Sequence, residues 1–279
     1  MDGPEIRGAT YGVELLFDRD YVLTDPAVVS SIESAVRARC PKADVRPTGG
    51  PIAIFHPDVP IALADANICA QTVILGTDAP VKEGELEPLL QQTRDWPEAR
   101  AVVGRAKRRL LVTDLMSSML AASPRLDVFQ RALAGIVTAL RPTAIAWTTA
   151  GKVIDPARFL HVMEQADRIE RLVLALNVRM FKVDNFPGEV VMDTMGLASL
   201  GLPDLQVHFR DIEPNDIAHK LFNTALYVFE KGDVIEDDHT IDGVPSGTKW
   251  RCRHEASLVG PSRVVLDFDP GAPYTGGKR

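Results

Sequence analysis

The chain has 279 residues, of which 46% are hydrophobic and 25% charged, and its formal net charge is −7 at pH 7. This length suits one large domain or two domains of ordinary size, and the composition is that of a globular protein. The acidic balance argues against a nucleic-acid partner, because binding a phosphate backbone needs a basic surface. The basic cluster from Arg105 to Arg109 is predicted to be the solvated entry to a strand.

The cysteines and the apolar segments together predict a cytoplasmic protein. Cys40, Cys69 and Cys252 are widely spaced and form no CxxC motif, as expected for three separate thiols in a reducing compartment. The sequence shows no apolar segment typical of a signal peptide and no run of about 18 apolar residues. We therefore expect neither a membrane span nor a membrane partner.

The first half of the chain alternates predicted strands and helices. Asp25 and Pro26 begin a helix as N-cap and first helical residue, and this helix should end before Pro41. The segment His56-Pro57-Asp58 is expected to end the second strand. Further helices are predicted over residues 83–92 and after Ser123-Pro124 and Asp155-Pro156, and strands over 11–17, 52–55, 72–75, 109–113 and 143–148.

The stretch from Val190 to Arg210 organises the second half. It is apolar and marked by glycines, and its pattern predicts a strand, a tight turn, a short helical turn and a second strand. Asp193 or Thr194 is predicted to cap the helical turn, and Gly201 to end it in a left-handed conformation. The other elements predicted here are a strand over 172–183, a helix begun by Glu213-Pro214, hairpin strands around 234–239 and 249–254, a strand over 263–268 and a frayed tail.

Three strings in this half are shared with a known family. DTMGLASLGLPDLQVHFR, NTALYVFEKGDVIEDDHTIDG and KWRCRHEASLVGPSRVVLDFDP closely resemble the C-terminal segment of the bacterial family known as domain of unknown function 4261. The upstream strings ALADANICAQTVIL, LQQTRDWPEA and LLVTDLMSSML resemble longer members, so the resemblance covers nearly the whole chain. It implies no catalytic residues, because the family is functionally unassigned.

The order of the elements predicts an α+β fold with antiparallel or mixed sheets and helices packed on one face, in preference to a doubly wound parallel sheet. A strand–helix–strand opening recurs near residues 11 and 172, so two similarly built halves are possible. We predict an N-terminal half over 1–168 and a C-terminal half over 169–279 that carries the family-like segment. One compact unit is the alternative.

An acid-rich segment near the predicted hairpin is the main candidate site. It can be a solvated rim, a surface that binds a partner, or a metal site, since carboxylates with imidazoles can hold Mg²⁺, Mn²⁺ or Zn²⁺. The metal alternative uses Asp233, Glu236, His239 and His254, although their spacing matches no calcium loop and no HExxH helix. The candidate binding residues are Glu230, Asp233, Glu236, Asp237, Asp238, His239 and Asp242.

Other titratable residues have a simpler structural interpretation. Asp193, Thr194, Asp204 and His208 are predicted to serve as caps and in turns, and a carboxylate–imidazole set near the glycines is the alternative. Cys252 and His254 share a strand face with Trp250, which allows a thiolate–imidazole pair. His56 and Asp65 are predicted to organise turns, and Asp114 to be an N-cap.

The common nucleotide and acyl-transfer motifs are absent from the sequence, so we expect no cofactor. The first functional hypothesis is a non-enzymatic, cytoplasmic protein-binding module that uses the acidic segment to contact a basic protein partner. By analogy alone, such a module is an immunity or adaptor protein for a secreted toxin. The alternative is a metal-dependent hydrolase that uses the acidic and histidine side chains of the hairpin. The oligomeric state is left open.

Overall fold

The computed structural model of the protein describes residues 11–20, 22–62, 67–77, 80–165 and 168–277. The chain divides into two compact units between Ala175 and Leu176. The boundary predicted at residue 168 stays a prediction. Both units combine helices with an open sheet, which confirms the α+β class. None of the described helices is both long enough and apolar enough to cross a bilayer.

The N-terminal unit is built on a seven-stranded sheet in the order β2-β3-β4-β5-β1-β6-β7, and its neighbouring strands are antiparallel. The strands are β1 (Gly12–Phe17), β2 (Asp44–Pro47), β3 (Ile52–Ala62), β4 (Asn67–Gly76), β5 (Arg108–Leu115), β6 (Ala144–Trp147) and β7 (Lys152–Ile154). The helices are α1 (Pro26–Arg39), α2 (Glu87–Gln91), α3 (Ala99–Val103), α4 (Ala122–Leu140), α5 (Pro156–Gln165) and α6 (Arg168–Ala175).

Helix α1 begins as the sequence predicts. The side chain of Asp25 accepts a hydrogen bond from the N–H of Ala27 at 2.9 Å, and Pro26 takes the first helical position. The helix packs closely on α4 at Gly135, where a Cβ would lie 2.6 Å from the Cα of Val36. Glycine is therefore needed at the crossing of the two helices.

Helices cover both faces of this sheet. On one face, Tyr11, Phe129, Trp147 and Phe159 pack their rings together at centroid distances of 5.0 to 6.4 Å. On the other face, apolar side chains of β1, β6 and β7 pack against α2 and α3. The sequence predicts helices on one face, and the short helices that cover the second face carry too few residues for a clear period.

Strand β3 continues well past the predicted break at His56-Pro57-Asp58. A register shift between His56 and Pro60 takes up the extra residues, and pairing with β4 resumes as far as Ala62. Beyond Phe55 the strand has lost its pairing with β2, so it is an edge strand there. Proline is tolerated at an edge or a bulge, because no partner strand needs its missing N–H.

The C-terminal unit is built on a six-stranded sheet in the order β11-β12-β13-β10-β9-β8. Only β10 and β13 pair in parallel among these described strands. Helix α7 (Pro214–Lys231) packs on one face through a buried stripe that includes Ile217, Leu221 and Val228. The strands are β8 (Asn177–Lys182), β9 (Val190–Met195), β10 (Asp204–Phe209), β11 (Thr240–Asp242), β12 (Lys249–Ala256) and β13 (Val264–Asp269).

Three predicted elements of this half are wrong. The predicted strand over 172–183 begins instead as helix α6, and only Asn177–Lys182 is extended. The hairpin strand predicted around 234–239 is a loop, and β11 is the short segment that pairs with β12. The tail is not frayed as far as Gly276, because Gly276 donates to the carbonyl of His208 at 3.1 Å.

Candidate functional site

The acids of the central stretch form a buried network with two arginines. Asp193 lies within β9, where its carboxylate accepts from Arg179 Nε at 2.9 Å and from Arg263 Nη2 at 2.5 Å. Arg263 Nε also donates to Asp204 at 2.9 Å. Each charged side chain in this network makes a hydrogen bond to a side chain of opposite charge. The network can therefore be buried without a large electrostatic penalty.

The prediction that Asp193 or Thr194 caps the helical turn is therefore wrong, since both lie in a strand. Asp204 binds the turn instead, by accepting from the N–H of Leu197 at 3.0 Å. Burial raises the pKa of Asp204, and the charge of Arg263 opposes that effect. Gly201 ends the turn in the left-handed conformation, with φ of 85°, as predicted.

His208 stands apart from this network. Its Nε2 lies 3.0 Å from a carboxylate oxygen of Glu189, at an angle outside that of a hydrogen bond. On its other side, a Cβ built at Gly276 would lie 2.3 Å from the imidazole ring. The candidate set of Asp193, Thr194, Asp204 and His208 is thus split into a structural network of three residues and a separate histidine.

The acidic segment lies at the end of α7, in the loop that follows and in β11, and its titratable side chains are exposed to solvent. Most of its carboxylates lie close to a lysine, arginine or histidine of the same unit. Asp242 is 2.5 Å from Lys249 Nζ, and Asp238 is 3.2 Å from Arg253 Nη2. Glu236 Oε2 is 3.5 Å from His239 Nε2. Exposed pairs of this kind contribute little stability, but they reduce the net charge that a partner meets.

The four candidate metal ligands, Asp233, Glu236, His239 and His254, form two separate pairs and do not converge on one point. His254 Nε2 lies 3.1 Å from Asp233, and His254 Nδ1 lies 2.8 Å from Asp237, whereas His239 contacts Glu236. Burial lowers the pKa of His254, but the hydrogen bonds and charges of Asp237 and Asp233 outweigh it and raise the pKa above its usual value. Among the residues that the structure describes, no group of three or more such ligands is placed to hold a metal ion.

The thiolate–imidazole pair that the sequence allows as an alternative is not formed. Both ring nitrogens of His254 face carboxylates, and Cys252 is completely buried. Burial raises the pKa of the Cys252 thiol to about 11, which opposes formation of the thiolate that a nucleophile requires.

Three predictions for the N-terminal unit are corrected by the same kind of contact. Asp114 is not an N-cap, because it lies in β5 and binds Arg125 Nε at 2.6 Å. His56 lies in β3 and shares a hydrogen bond with Thr72 at 3.0 Å, so it organises no turn. In the basic cluster, Arg105, Lys107 and Arg108 are exposed as predicted, whereas Arg109 is buried and binds Glu85 at 2.6 Å. Asp65 lies outside the described residues.

A family model described as domain of unknown function (DUF4261) matches residues 193–269. This segment belongs to the DUF4261 family. The match begins at the buried network in β9 and ends with β13, so it contains α7 and the whole acidic segment. The upstream strings that resemble longer DUF4261 members lie outside the match. No curated protein and no solved structure matches the chain.

Beside the acidic segment, the DUF4261 segment has two exposed apolar side chains that were not predicted from the sequence. Tyr227 on α7 is 46% exposed and Val234 in the following loop is 47% exposed. Both line a shallow depression of about 500 Å³ that also includes His239 and Asp242. The helical period of α7 could have indicated the exposure of Tyr227 from the sequence. Tyr227 does not belong to the buried stripe of Leu221, Ala225 and Val228, so it is expected to face outward.

Proposed function

We propose that the C-terminal unit is a protein-binding module, and that its contact surface is the depression between α7 and the loop that carries the acidic segment. The observation that carries the proposal is the pair of exposed side chains, Tyr227 and Val234, in one concave surface. Large apolar side chains in a depression gain free energy when a partner removes them from water, and tyrosine is frequent among the residues that dominate interfaces.

The depression itself contains Lys220, Lys249 and Asp242, and the charge of the chain segment around it supports a basic partner. Between residues 230 and 255, seven carboxylates are accompanied by four lysines and arginines. Part of this surplus is internally paired, so it supplies little affinity by itself. An excess of one sign mainly accelerates encounter with a partner of the opposite sign and makes the association rate sensitive to salt.

The proposal includes a cytoplasmic location and a role as an immunity or adaptor protein. The location is supported by three free cysteines, at positions 40, 69 and 252, which suit a reducing compartment. The role is proposed by analogy, and the same surface supports it, because an immunity or adaptor protein acts by covering a complementary surface of another protein.

The test is a pull-down from native lysate with the whole chain as bait, at low and at raised salt. The double substitution Tyr227→Ala with Val234→Ala should reduce recovery of the partner by about tenfold, since an interface anchor contributes about 1.4 kcal/mol or more. Raised salt should reduce recovery further by screening the charges.

Leu258→Ala is the matched control, because Leu258 is 57% exposed in the same unit and lies outside the depression. It should leave recovery unchanged. Recovery of no protein at either salt concentration, or equal recovery by the Tyr227/Val234 variant, would count against the proposal.

A further inference from the structure

One edge of the C-terminal sheet is open to a further strand. The sheet ends at β8, which pairs with β9 and with no other described strand. The N–H of Val183 donates to the carbonyl of Glu189 at 3.2 Å, in the same register, and this bond fixes the alternation along the ladder. The odd-numbered residues of β8 therefore bond to β9, whereas Val178, Met180 and Lys182 direct their N–H and C=O groups away from it.

The other described sheet edges carry the features by which proteins prevent the addition of a strand. The N-terminal sheet ends at β2, which has four residues and includes Pro47, and at β7, which has only three residues. The free part of β3 contains Pro57, Pro60 and a register shift. At the second edge of the C-terminal sheet, β11 has three residues and includes the exposed Asp242. Short strands, prolines, bulges and charges all oppose pairing between edges.

Strand β8 lacks these features along most of its length. It has six residues, contains no proline and pairs with β9 without a bulge. Of its two charged side chains, Lys182 lies at the end of the strand, and Arg179 is buried and bound to Asp193. Val178 and Met180, whose backbone groups point outward, have apolar and partly exposed side chains. An edge of this kind is a template for pairing with another chain.

The strand is complementary to itself when two copies run antiparallel about a two-fold axis at Met180. This register pairs Met180 with Met180 of the second copy, and Val178 with Lys182 of the second copy. All the outward-pointing backbone groups of these residues then find partners, so about six hydrogen bonds form, two in each pair. A shift of the axis by one residue in either direction leaves fewer hydrogen-bonded pairs.

The same register brings no like charges together. Lys182 faces Val178 of the second copy, and Arg179 faces Phe181, which is a favourable pair of a cation with an aromatic ring. Within one chain, Arg179 already lies over this ring at 5.1 Å from its centroid. Moving the axis by one residue toward the N-terminus would instead place Arg179 opposite Arg179, and like charges directly opposite each other are destabilising.

We propose that β8 is the interface of a symmetric dimer of this chain, in which two C-terminal sheets join edge to edge. A second copy is the occupant because a two-fold axis requires a self-complementary surface, and the register at Met180 provides one. The interface is small and belongs to the weak class, so we expect a dissociation constant on the order of 10–100 µM. The edge is separate from the depression beside α7, and the dimer does not rest on the proposed function.

Disulfide trapping tests the register, with Met180→Cys placed in the whole chain that also carries Cys69→Ser. The remaining native thiols, Cys40 and Cys252, are buried, and Cys69 is the partly exposed one. The Cα atoms of a hydrogen-bonded antiparallel pair are about 5.5 Å apart, a distance at which a disulfide can form. With oxidised glutathione as the oxidant, most of the Met180→Cys chain should become covalent dimer.

Lys182→Cys in the same background is the matched control. In the proposed register, the two copies of position 182 lie about 13 Å apart along the strands, too far for a disulfide. This variant should give less than about a tenth of the dimer formed by Met180→Cys. Adding Val178→Cys to Lys182→Cys should restore the covalent dimer, because positions 178 and 182 face each other.

Sedimentation of the unmodified chain measures the equilibrium itself. The apparent mass should rise from the 30.5 kDa of one chain toward twice that value as the concentration approaches about 500 µM. Met180→Lys places two ammonium groups opposite each other and should raise the dissociation constant by about tenfold. Thr240→Lys adds the same charge to β11, at the other edge of the sheet, and should leave the dissociation constant unchanged.

Three results would overturn the proposal. The first is a monomer at about 500 µM, well above the expected dissociation constant. The second is a yield of covalent dimer from Met180→Cys no greater than from Lys182→Cys, which would show that the chains do not meet in this register. The third is an equal effect of Met180→Lys and Thr240→Lys, which would show that only the net charge of the protein matters. Failure to recover a protein partner from lysate would affect none of these results.

Discussion

Two histidines show how the surroundings of one residue type determine its charge. His56 is 1% exposed, and burial lowers its pKa to about 4. Burial also lowers the pKa of His254, yet the adjacent Asp237 and Asp233 raise it above the usual value. At neutral pH, His56 is therefore uncharged, whereas His254 retains more of its positive charge than an isolated histidine does.

An NMR titration of the imidazole protons should separate the two residues. His56 should titrate near pH 4 and His254 above about 6.5, the value of an unperturbed histidine. The variants His56→Asn and His254→Gln assign the two signals and serve as controls. Titration of both residues near pH 6.5 would contradict the burial of the first and the ion pairing of the second.

The same values give opposite effects on stability. The pKa of His56 is lower in the folded state than in the unfolded chain. The neutral imidazole therefore contributes to the free energy of unfolding above about pH 6.5, and this contribution is lost as the pH falls toward about 4. The pKa of His254 is raised in the folded state. The protonated imidazole therefore contributes to the free energy of unfolding at acidic pH, and this contribution is lost as the pH rises through the pKa of the folded protein. Acidification through this window therefore destabilises the N-terminal unit through His56.

At the scale of elements, the buried network of Asp193, Asp204, Arg179 and Arg263 joins parts of the chain that are distant in sequence. It connects β8 and β9 with the loop before β13, and all four side chains are at least 90% buried. Removal of one partner leaves another charge buried without compensation. Removing one partner of a buried ion pair therefore lowers the free energy of unfolding far more than removing one partner of an exposed pair.

We predict that Asp193→Asn lowers the free energy of unfolding of the C-terminal unit by about 3–5 kcal/mol. Asp242→Asn removes a carboxylate whose side chain is 85% exposed, and should cost less than about 1 kcal/mol. Urea denaturation followed by circular dichroism measures both changes. A small and equal effect of the two substitutions would show that the network contributes no more than a surface pair.

Local signals in the sequence were sufficient for several elements, and non-local contacts decided the rest. Asp25-Pro26 and Glu213-Pro214 mark the starts of α1 and α7, because a proline at the first position acts on its own helix; Asp25 also caps α1 by a hydrogen bond, whereas the side chain of Glu213 makes none. Asp193 was misassigned as a cap because its partner Arg263 is distant along the chain. The apolar run of α6 suits a buried strand as well as a helix, so its pattern alone did not decide.

At the scale of the whole molecule, each unit has its own sheet and its own buried residues. In the C-terminal unit, Trp250 and Phe268 are completely buried and their ring centroids are 6.4 Å apart. A unit with its own core is expected to fold without the rest of the chain. The composition indicated two domains of ordinary size as one possibility, but a division by packing cannot be read from residue types.

We predict that a fragment of residues 176–279 folds by itself. Its single tryptophan, Trp250, should show the blue-shifted emission and near-ultraviolet circular dichroism of a buried indole, and should lose both in urea. The fragment with Trp250→Phe provides the blank. Emission typical of an exposed indole before denaturant is added would show that this unit requires the remainder of the chain.

The candidate surface was partly predicted from the sequence. The acidic residues are exposed to solvent, as the sequence predicts. Part of their negative charge is offset by Lys249, Arg251 and Arg253 of the neighbouring strand. The period of α7 placed Tyr227 outward, yet only the folded loop brings Val234 beside it.

The approach of Gly276 to His208 also constrains which residues the end of the chain tolerates. A methyl group at position 276 would occupy the space of the ring, whereas one at Gly277 would meet nothing within 4 Å. The two adjacent glycines therefore differ in whether they can be replaced by a residue with a side chain. A side chain at position 277 has space, while a side chain at position 276 requires a smaller residue at position 208.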